Sequence, residues 1–282
     1  MKQLLTGAIS LCAAGAVYSY YQNNVLQVAH HTLSIGLSKP IKLVCLADLH
    51  GKQFGKSNKN LIEQVHALTP DLIVFPGDTL SADCHNLVST IKTLKKLRFI
   101  APCFLIAGNH EHRSGRWPEI AARFRAAGVV VLENSQFDGY IHGNPVHILG
   151  LDEGLAVSRL DYIKAACKTL KYADNREALR TLSQQDGLRI VLSHFPEHYA
   201  LIDELSYCRV PFDLMLCGHA HGGQIRLGKQ LALYAPGQGL FPRFRQGPHG
   251  SNPTLIVSRG LGNDSPMPRI NNRPEIVSVT IM

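Results

Sequence analysis

The sequence is sparing with charge and with aromatic side chains. Asp, Glu, Lys and Arg make up 18% of 282 residues, aromatics 7%, and tryptophan occurs once. Among its seven cysteines no Cys-x-x-Cys pair occurs, which argues against a thiolate zinc site, and the odd count argues against a disulfide framework. Cys45 and Cys217 sit in apolar runs, where a free thiol behaves as a small apolar residue. No block of five consecutive Lys or Arg occurs, and no basic stripe interleaved with aromatics, so nucleic acid is not the expected partner. Internal repeats, low-complexity tracts and linkers are also missing. The economical parse is an N-terminal segment, residues 1–24, followed by one domain, residues 25–282. Hydrophobic residues reach 45%, enough for a sizeable core, and the formal net charge of +8 suits an anionic partner such as a phosphate ester or a membrane surface.

Leu4 to Tyr21 is largely apolar and uncharged, with Lys2 ahead of it and Tyr18, Tyr20 and Tyr21 at its end. It reads as a hydrophobic membrane anchor, marginal in length against the roughly 20 apolar residues that span a bilayer. Ala14-Gly15-Ala16 offers the alternative of a cleaved signal segment. The lysine bias favours an extracytoplasmic domain, and the free cysteines pull mildly the other way.

The rest alternates short apolar runs with helical spacing. Strands are expected at Leu26–Leu33, Ile41–Ala47, Leu72–Phe75, Cys103–Ala107, Val129–Leu132, Val146–Leu151, Leu188–Leu192, Phe212–Cys217, Leu255–Val257 and Ile276–Ile281. Helices are expected at Ser57–Leu68, Asn86–Leu97, Trp117–Ala127, Arg159–Leu182 and Tyr199–Leu205. Strand–helix alternation that thins out in the second half implies an α/β fold of two stacked sheets flanked by helices.

Five clusters each follow one of these buried strands. They are Asp48-Leu49-His50, Gly77-Asp78, Gly108-Asn109-His110-Glu111, Ser193-His194 and Gly218-His219-Ala220-His221-Gly222-Gly223. Ligands gather at the carboxyl ends of strands in α/β sheets. A lone Asp-x-His or Gly-Asp is ordinarily a turn, and a lone histidine after an apolar run is ordinarily a packed core residue. All five in order are hard to explain as packing. Asp48, His50, Asp78, Asn109, His194, His219 and His221 form a mixed oxygen and nitrogen set, which suits two divalent ions (Mn²⁺, Zn²⁺ or iron) better than Ca²⁺. Asp78 carries the charge to bridge them.

These motifs resemble the calcineurin-like metallophosphoesterase family, whose pattern is D-x-H, G-D, G-N-H-[DE], H and G-H-x-H. The match runs from Ile41 towards the C-terminus, with no ligand position missing. The resemblance implies a four-layer α/β/β/α sandwich. One metal would be held by Asp48, His50, Asp78 and His221, the other by Asp78, Asn109, His194 and His219, with Mn²⁺ favoured. It implies that His110 sits over the leaving group as general acid or charge stabiliser, the alternative being a histidine that only orients Asp78; Glu111 would support the loop. A bridging hydroxide would attack phosphorus in line. The Gly-His-Ala-His-Gly-Gly-Gln run and the ending from Val257 to Ile276 are similar to the bacterial YkuE/YaeI-like phosphodiesterase branch, which is similar to some UDP-2,3-diacylglucosamine hydrolases. The implied substrate is a phosphodiester or pyrophosphate, lipid-linked or nucleotide; a phosphomonoesterase and a non-catalytic metal-binding scaffold are the rivals. No obligate protein partner is inferred. Arg113, Arg116, Arg243 and Arg245 are candidates for a substrate phosphate, and Phe241-Pro242-Arg243-Phe244 for a lipid or membrane contact.

Overall fold

After Pro40 the chain enters the protein as β2 (Ile41–Cys45), with Ile41, Leu43, Val44 and Cys45 all buried. A strand buried on both faces belongs at the centre of a sheet. The computed structural model describes residues 2–155, 175–200, 206–228, 231–263 and 267–282, with backbone only at 2–5 and 7–9. β2 has β3 (Leu72–Pro76), β4 (Cys103–Ile106) and β5 (Val130–Val131) parallel to it on one side. On the other side β16 (Glu275–Ile281) runs antiparallel to β2 and parallel to β1 (Gln27–Leu33) at the edge.

A second six-stranded sheet has the order β14-β15-β9-β8-β7-β6. Its parallel centre is β15 (Thr254–Val257), β9 (Leu214–Cys217), β8 (Leu188–Leu192) and β7 (Asn144–Gly150). Antiparallel β14 (Gly247–His249) and β6 (Ser135–Ile141) close the two edges.

The two sheets stack through Leu43, Val74 and Ile106 on one and Ile148, Ile190 and Leu216 on the other. The outer face of the first sheet is covered by α2 (Lys59–Ala67), α3 (Leu87–Arg98) and α4 (Trp117–Ala126), through Leu61, Leu94 and Phe124. The outer face of the second packs on the helix Arg176–Ser183 through Leu179 and Leu182. This is the layered α/β/β/α order. β6 was not legible as a strand, because its residues alternate between exposed and half-buried at the sheet edge.

The N-terminal segment forms a helix, α1 (Lys2–Asn24). Part of the expected anchor, the side chains of 2–5 and 7–9, lies outside the described residues. Among the described residues no helix is long and apolar enough to cross a membrane. Most of the helix expected at Arg159–Leu182, and all but the start of that at Tyr199–Leu205, likewise falls outside the described residues.

Candidate metal centre

The five strand ends meet at one edge of the sandwich. Asp48, Asp78 and Asn109 follow β2, β3 and β4 in the first sheet, and His194 and His219 follow β8 and β9 in the second. The chain turns so sharply there that the candidate ligands adopt left-handed backbone: Asp48 (φ 48°), His50 (49°), Asp78 (51°), His219 (64°) and His221 (46°). Such conformations are costly for residues with a Cβ and cluster at functional sites.

All seven predicted ligands are buried. Asp48, His50 and His221 present donor atoms within 4.8 Å of one another, and so do Asp78, His194 and His219. His50 Nε2 lies 3.4 Å from His221 Nε2. His194 Nε2 lies 3.3 Å from Asp78 Oδ2 and 3.1 Å from Asn109 Oδ1. A further group joins His50, Asp78 and His110 within the same limit, so His110 stands beside the seven.

The donor set fits cations. Asp48 Oδ2 and His219 Nε2 are buried and have no hydrogen-bond partner, and a buried polar atom left so is costly unless something else satisfies it. Two carboxylates and four imidazoles around one small volume supply the harder oxygens and the nitrogens that Mn²⁺, Zn²⁺ and iron accept.

The surroundings fix these side chains. His219 donates its backbone N–H to Asp48 Oδ1 (2.9 Å), and His110 donates its own to Asp78 Oδ1 (2.8 Å). Glu111 accepts from the N–H groups of Asp78, Gly108 and Leu80 at 2.8–2.9 Å, tying two loops together as expected for a supporting residue. Glycine is required at 108, where a Cβ would stand 2.2 Å from Asp78 Oδ1, and at 77 (φ +87°), where it would meet His194 Nδ1 at 2.5 Å.

Protonation follows from burial and neighbours. Burial pushes Asp48 up to about 7, against the pull of His194. Burial also opposes ionisation of Asp78, but the charge and hydrogen bond of His194, with His50 and His110, hold it well below the usual carboxylate range. His219 and His221 are driven well below the usual histidine value by burial, then by His194 and His50 respectively. Neutral imidazoles are the ligating form; burial lowers His194 too, but Asp78 and Asp48 raise it to about 10, so it would release a proton on taking up a cation.

A cleft opens onto the cluster, lined by Asp78, Asn109, His110, Arg113, Tyr234 and Met267 among others. Arg113 therefore stands where a phosphate would arrive. Arg116 instead pairs with Glu119 at 2.8 Å. Arg243 and Arg245 are not in the cleft wall: the Arg243 guanidinium lies 5.0 Å from the Phe244 ring centre, and Arg245 donates to the Pro242 carbonyl at 3.3 Å.

Two supporting residues were missed by sequence reasoning. Glu153, buried just past β7, accepts from Ser193 Oγ (2.6 Å), His194 N (3.0 Å), Tyr207 Oη (3.1 Å) and His198 Nδ1 (2.5 Å). Its place after a buried strand was the available signal. Arg269 is fully buried, donates to the Gly262 and Asn272 carbonyls, and reaches 3.3 Å from His221 Nδ1. No local pattern marks it.

A buried oxygen-and-nitrogen donor cluster at the strand ends of an α/β/β/α sandwich defines a metal-dependent phosphoester hydrolase. The chain belongs to the calcineurin-like phosphoesterase family, whose model matches residues 41–223. It is similar to the phosphodiesterase YaeI of Escherichia coli, 28% identical over 289 residues, covering 98% of this chain and 96% of that protein. It is equally similar to the Bacillus subtilis metallophosphoesterase YkuE, 28% identical over 298 residues and covering 99% and 96% of the two chains. Among solved structures, a dimetal phosphatase from Danio rerio superposes with a TM-score of 0.50 at 11% identity, covering 78% of this chain and 87% of that one, a likeness of fold.

Proposed function

We propose that this protein hydrolyses phosphodiester or pyrophosphate bonds with two divalent cations, on a lipid-linked or nucleotide substrate. The observation that carries the reading is the pair of adjoining donor groups, Asp48/His50/His221 and Asp78/His194/His219, with Asp48 Oδ2 and His219 Nε2 buried and unpartnered between them. Asp48, His50, Asp78 and His221 would hold one ion. Asp78, Asn109, His194 and His219 would hold the other, with Mn²⁺ the first choice for loading. Two such ions, when bound, activate water at neutral pH and neutralise charge on the phosphoryl oxygens.

The chain's own residues supply the rest. The Ala82 N–H points at His110 Nδ1 (3.3 Å), so a neutral His110 carries its proton on Nε2. Lining the cleft, His110 would hold that N–H against the departing oxygen and stabilise the charge building on it, a contribution of about 10²–10³ in rate. Arg113 would orient the phosphate with its planar fork. Tyr234, Pro236 and Met267 give the cleft an apolar side for the leaving group. The diester preference is supported by the E. coli relative being a phosphodiesterase. The N-terminal helix is proposed as the membrane-associated part, with the catalytic body on the extracytoplasmic side.

The test is hydrolysis of bis(p-nitrophenyl) phosphate against p-nitrophenyl phosphate by metal-stripped protein reloaded with Mn²⁺. Diester cleavage restored by metal and lost in Asp78→Asn and His110→Ala is the expected result. Preference for the monoester would move the protein to the phosphomonoesterases. Two bound metals without turnover on either ester, or on lipid-linked diesters, would make it a scaffold.

A further inference from the structure

The cleft is rimmed on one side by two very short hairpins. β10 (Arg226–Leu227) pairs with β11 (Leu231–Ala232), and β12 (Tyr234–Ala235) pairs with β13 (Gly239–Leu240). Alternation along each strand turns one residue in and the next out. Arg226, Ala232 and Ala235 face inward and are buried. The outward residues are Leu227 (66% exposed), Leu231 (40%), Tyr234 (47%) and Leu240 (66%). They are directly opposed in pairs, Leu227 with Leu231 and Tyr234 with Leu240. An antiparallel hairpin with one wet face ordinarily puts polar residues there; here three are leucines and the fourth a tyrosine. Leu233 N donates to Ile225 O (2.8 Å) and Phe241 N to Leu233 O (3.0 Å), which joins the hairpins into one surface and adds Phe241, 60% exposed.

This surface has two neighbours that name its occupant. One is the cleft itself, whose wall includes Tyr234 and Met267 together with Asp78 and His110. A protein covering the hairpins would lie across the entrance. A bilayer that carries the substrate would instead bring it there. The other neighbour is α1. Tyr18 Oη donates to Asn271 Oδ1 (2.6 Å), and Asn271 Nδ2 donates to the Arg226 carbonyl (3.1 Å), so the helix is tied to β10 through a single side chain. Leu11, Val17 and Tyr20 are exposed on that helix. Exposed Arg243 follows Phe241 by two residues, and the chain carries a net charge of +8. Apolar and aromatic side chains beside cations are the composition that holds a protein at an anionic lipid interface.

We propose that the hairpin face and the adjoining flank of α1 seat on an anionic phospholipid bilayer, and that the phosphate the cleft takes belongs to an amphiphile lying in that surface. The second half rests on the phosphodiesterase reading above; the docking half does not.

The docking test uses the full chain, stripped of metal, floated with vesicles of phosphatidylcholine alone or with phosphatidylglycerol. The expected result is enrichment on the anionic vesicles, reduced at least tenfold by the double variant Leu240→Ser/Phe241→Ser. A Leu240→Trp variant reads the site directly: its emission shifts to the blue on those vesicles and is quenched by brominated lipid. Flotation unchanged in the double variant, an unquenched tryptophan, or a dimer dispersed by the same substitutions without vesicle binding would each overturn the proposal. The substrate test compares hexadecyl p-nitrophenyl phosphate in those vesicles with soluble bis(p-nitrophenyl) phosphate. The double variant should keep soluble-diester hydrolysis and lose at least tenfold on the vesicle-borne ester. Equal loss on both esters would overturn the substrate half. A native protein that cleaves neither would sink the phosphodiesterase reading and the substrate half with it, while flotation and quenching still decide the docking.

Discussion

His194 Nδ1 lies 2.9 Å from the carbonyl oxygen of Pro76, a contact that joins the end of β8 in the second sheet to the end of β3 in the first. A carbonyl only accepts, so Nδ1 donates, and Nε2 is the nitrogen left to face Asp78 and Asn109. His194→Ala is expected to lower diester hydrolysis by about 10²-fold or more. It should also remove one of two metal equivalents per chain by elemental analysis, with the circular dichroism spectrum unchanged.

Gly108 is held against Asp78. A Cβ there would approach Asp78 N to 2.5 Å and Asp78 Oδ1 to 2.2 Å, while at Gly15 in α1 a Cβ would meet nothing within 4 Å. Gly108→Ala is expected to cost about 1–3 kcal/mol in urea unfolding and to depress activity further than stability. Gly15→Ala should be neutral or stabilising by about 0.5–1 kcal/mol. Equal behaviour of the two would refute the close-approach argument.

Glu153 is a buried carboxylate. Burial raises its pKa, but the charge and hydrogen bond of His198, with Ser193 and Tyr207, outweigh that and leave it below the usual range. Glu153→Ala strands those donors in a closed interior. The expected loss is about 3 kcal/mol, which for a chain of this size lowers Tm by roughly 5 °C. Calorimetry on the metal-free variant and native protein measures it.

His112 and Asp152 form a half-buried pair at 2.6 Å. Burial lowers the His112 pKa, but the Asp152 hydrogen bond and charge raise it above its ordinary value overall. Burial raises Asp152, and the His112 hydrogen bond and charge bring it below its own. The aspartate's contribution is present above its unfolded value and lost as pH falls through its folded one. The histidine's contribution is present below its unfolded value and lost as pH rises through its folded one. The pair therefore stabilises most between about pH 4 and 6.5. After solvent screening the effect is about 0.5–1 kcal/mol. Urea unfolding of native protein and Asp152→Asn should differ most in that window, and a gap that keeps widening at alkaline pH would contradict the pairing.

Chelation removes whatever satisfies Asp48 Oδ2 and His219 Nε2. The metal-free protein is expected to melt several degrees lower than the Mn²⁺-loaded one, as linkage requires of a ligand bound only by the native state. A melting temperature indifferent to chelator would count against cations at this cluster.

Much of this was legible in the sequence, for physical reasons. A run such as Leu72–Phe75 is apolar on both faces because it lies between the neighbouring sheet and a helical layer. The seven donors were legible because strand ends place them at fixed points. The hairpins from Arg226 to Leu240 were not, since two-residue strands carry no periodicity and their outward side is apolar. Arg269 was illegible because its burial depends on Gly262 and Asn272 folding over it. The grouping of Arg113 with Arg243 and Arg245 shows the same limit: composition alone cannot tell a guanidinium in the cleft from one stacked on Phe244.

β16 lies between β1 and β2, bonded to both along their length. On a ribosome, the first sheet has an open slot between its edge strand β1 and β2 until residue 281 has left the exit tunnel. Gly260 and Gly262, which close over Asp48, are also made late. At roughly 5–20 residues per second the nascent chain would wait about 12–47 s between the synthesis of β2 and that of β16 with that slot unfilled. Catalysis thus has no partial form during synthesis, and holding the unpaired edges of β1 and β2 apart from other chains becomes a task for the cell's folding machinery.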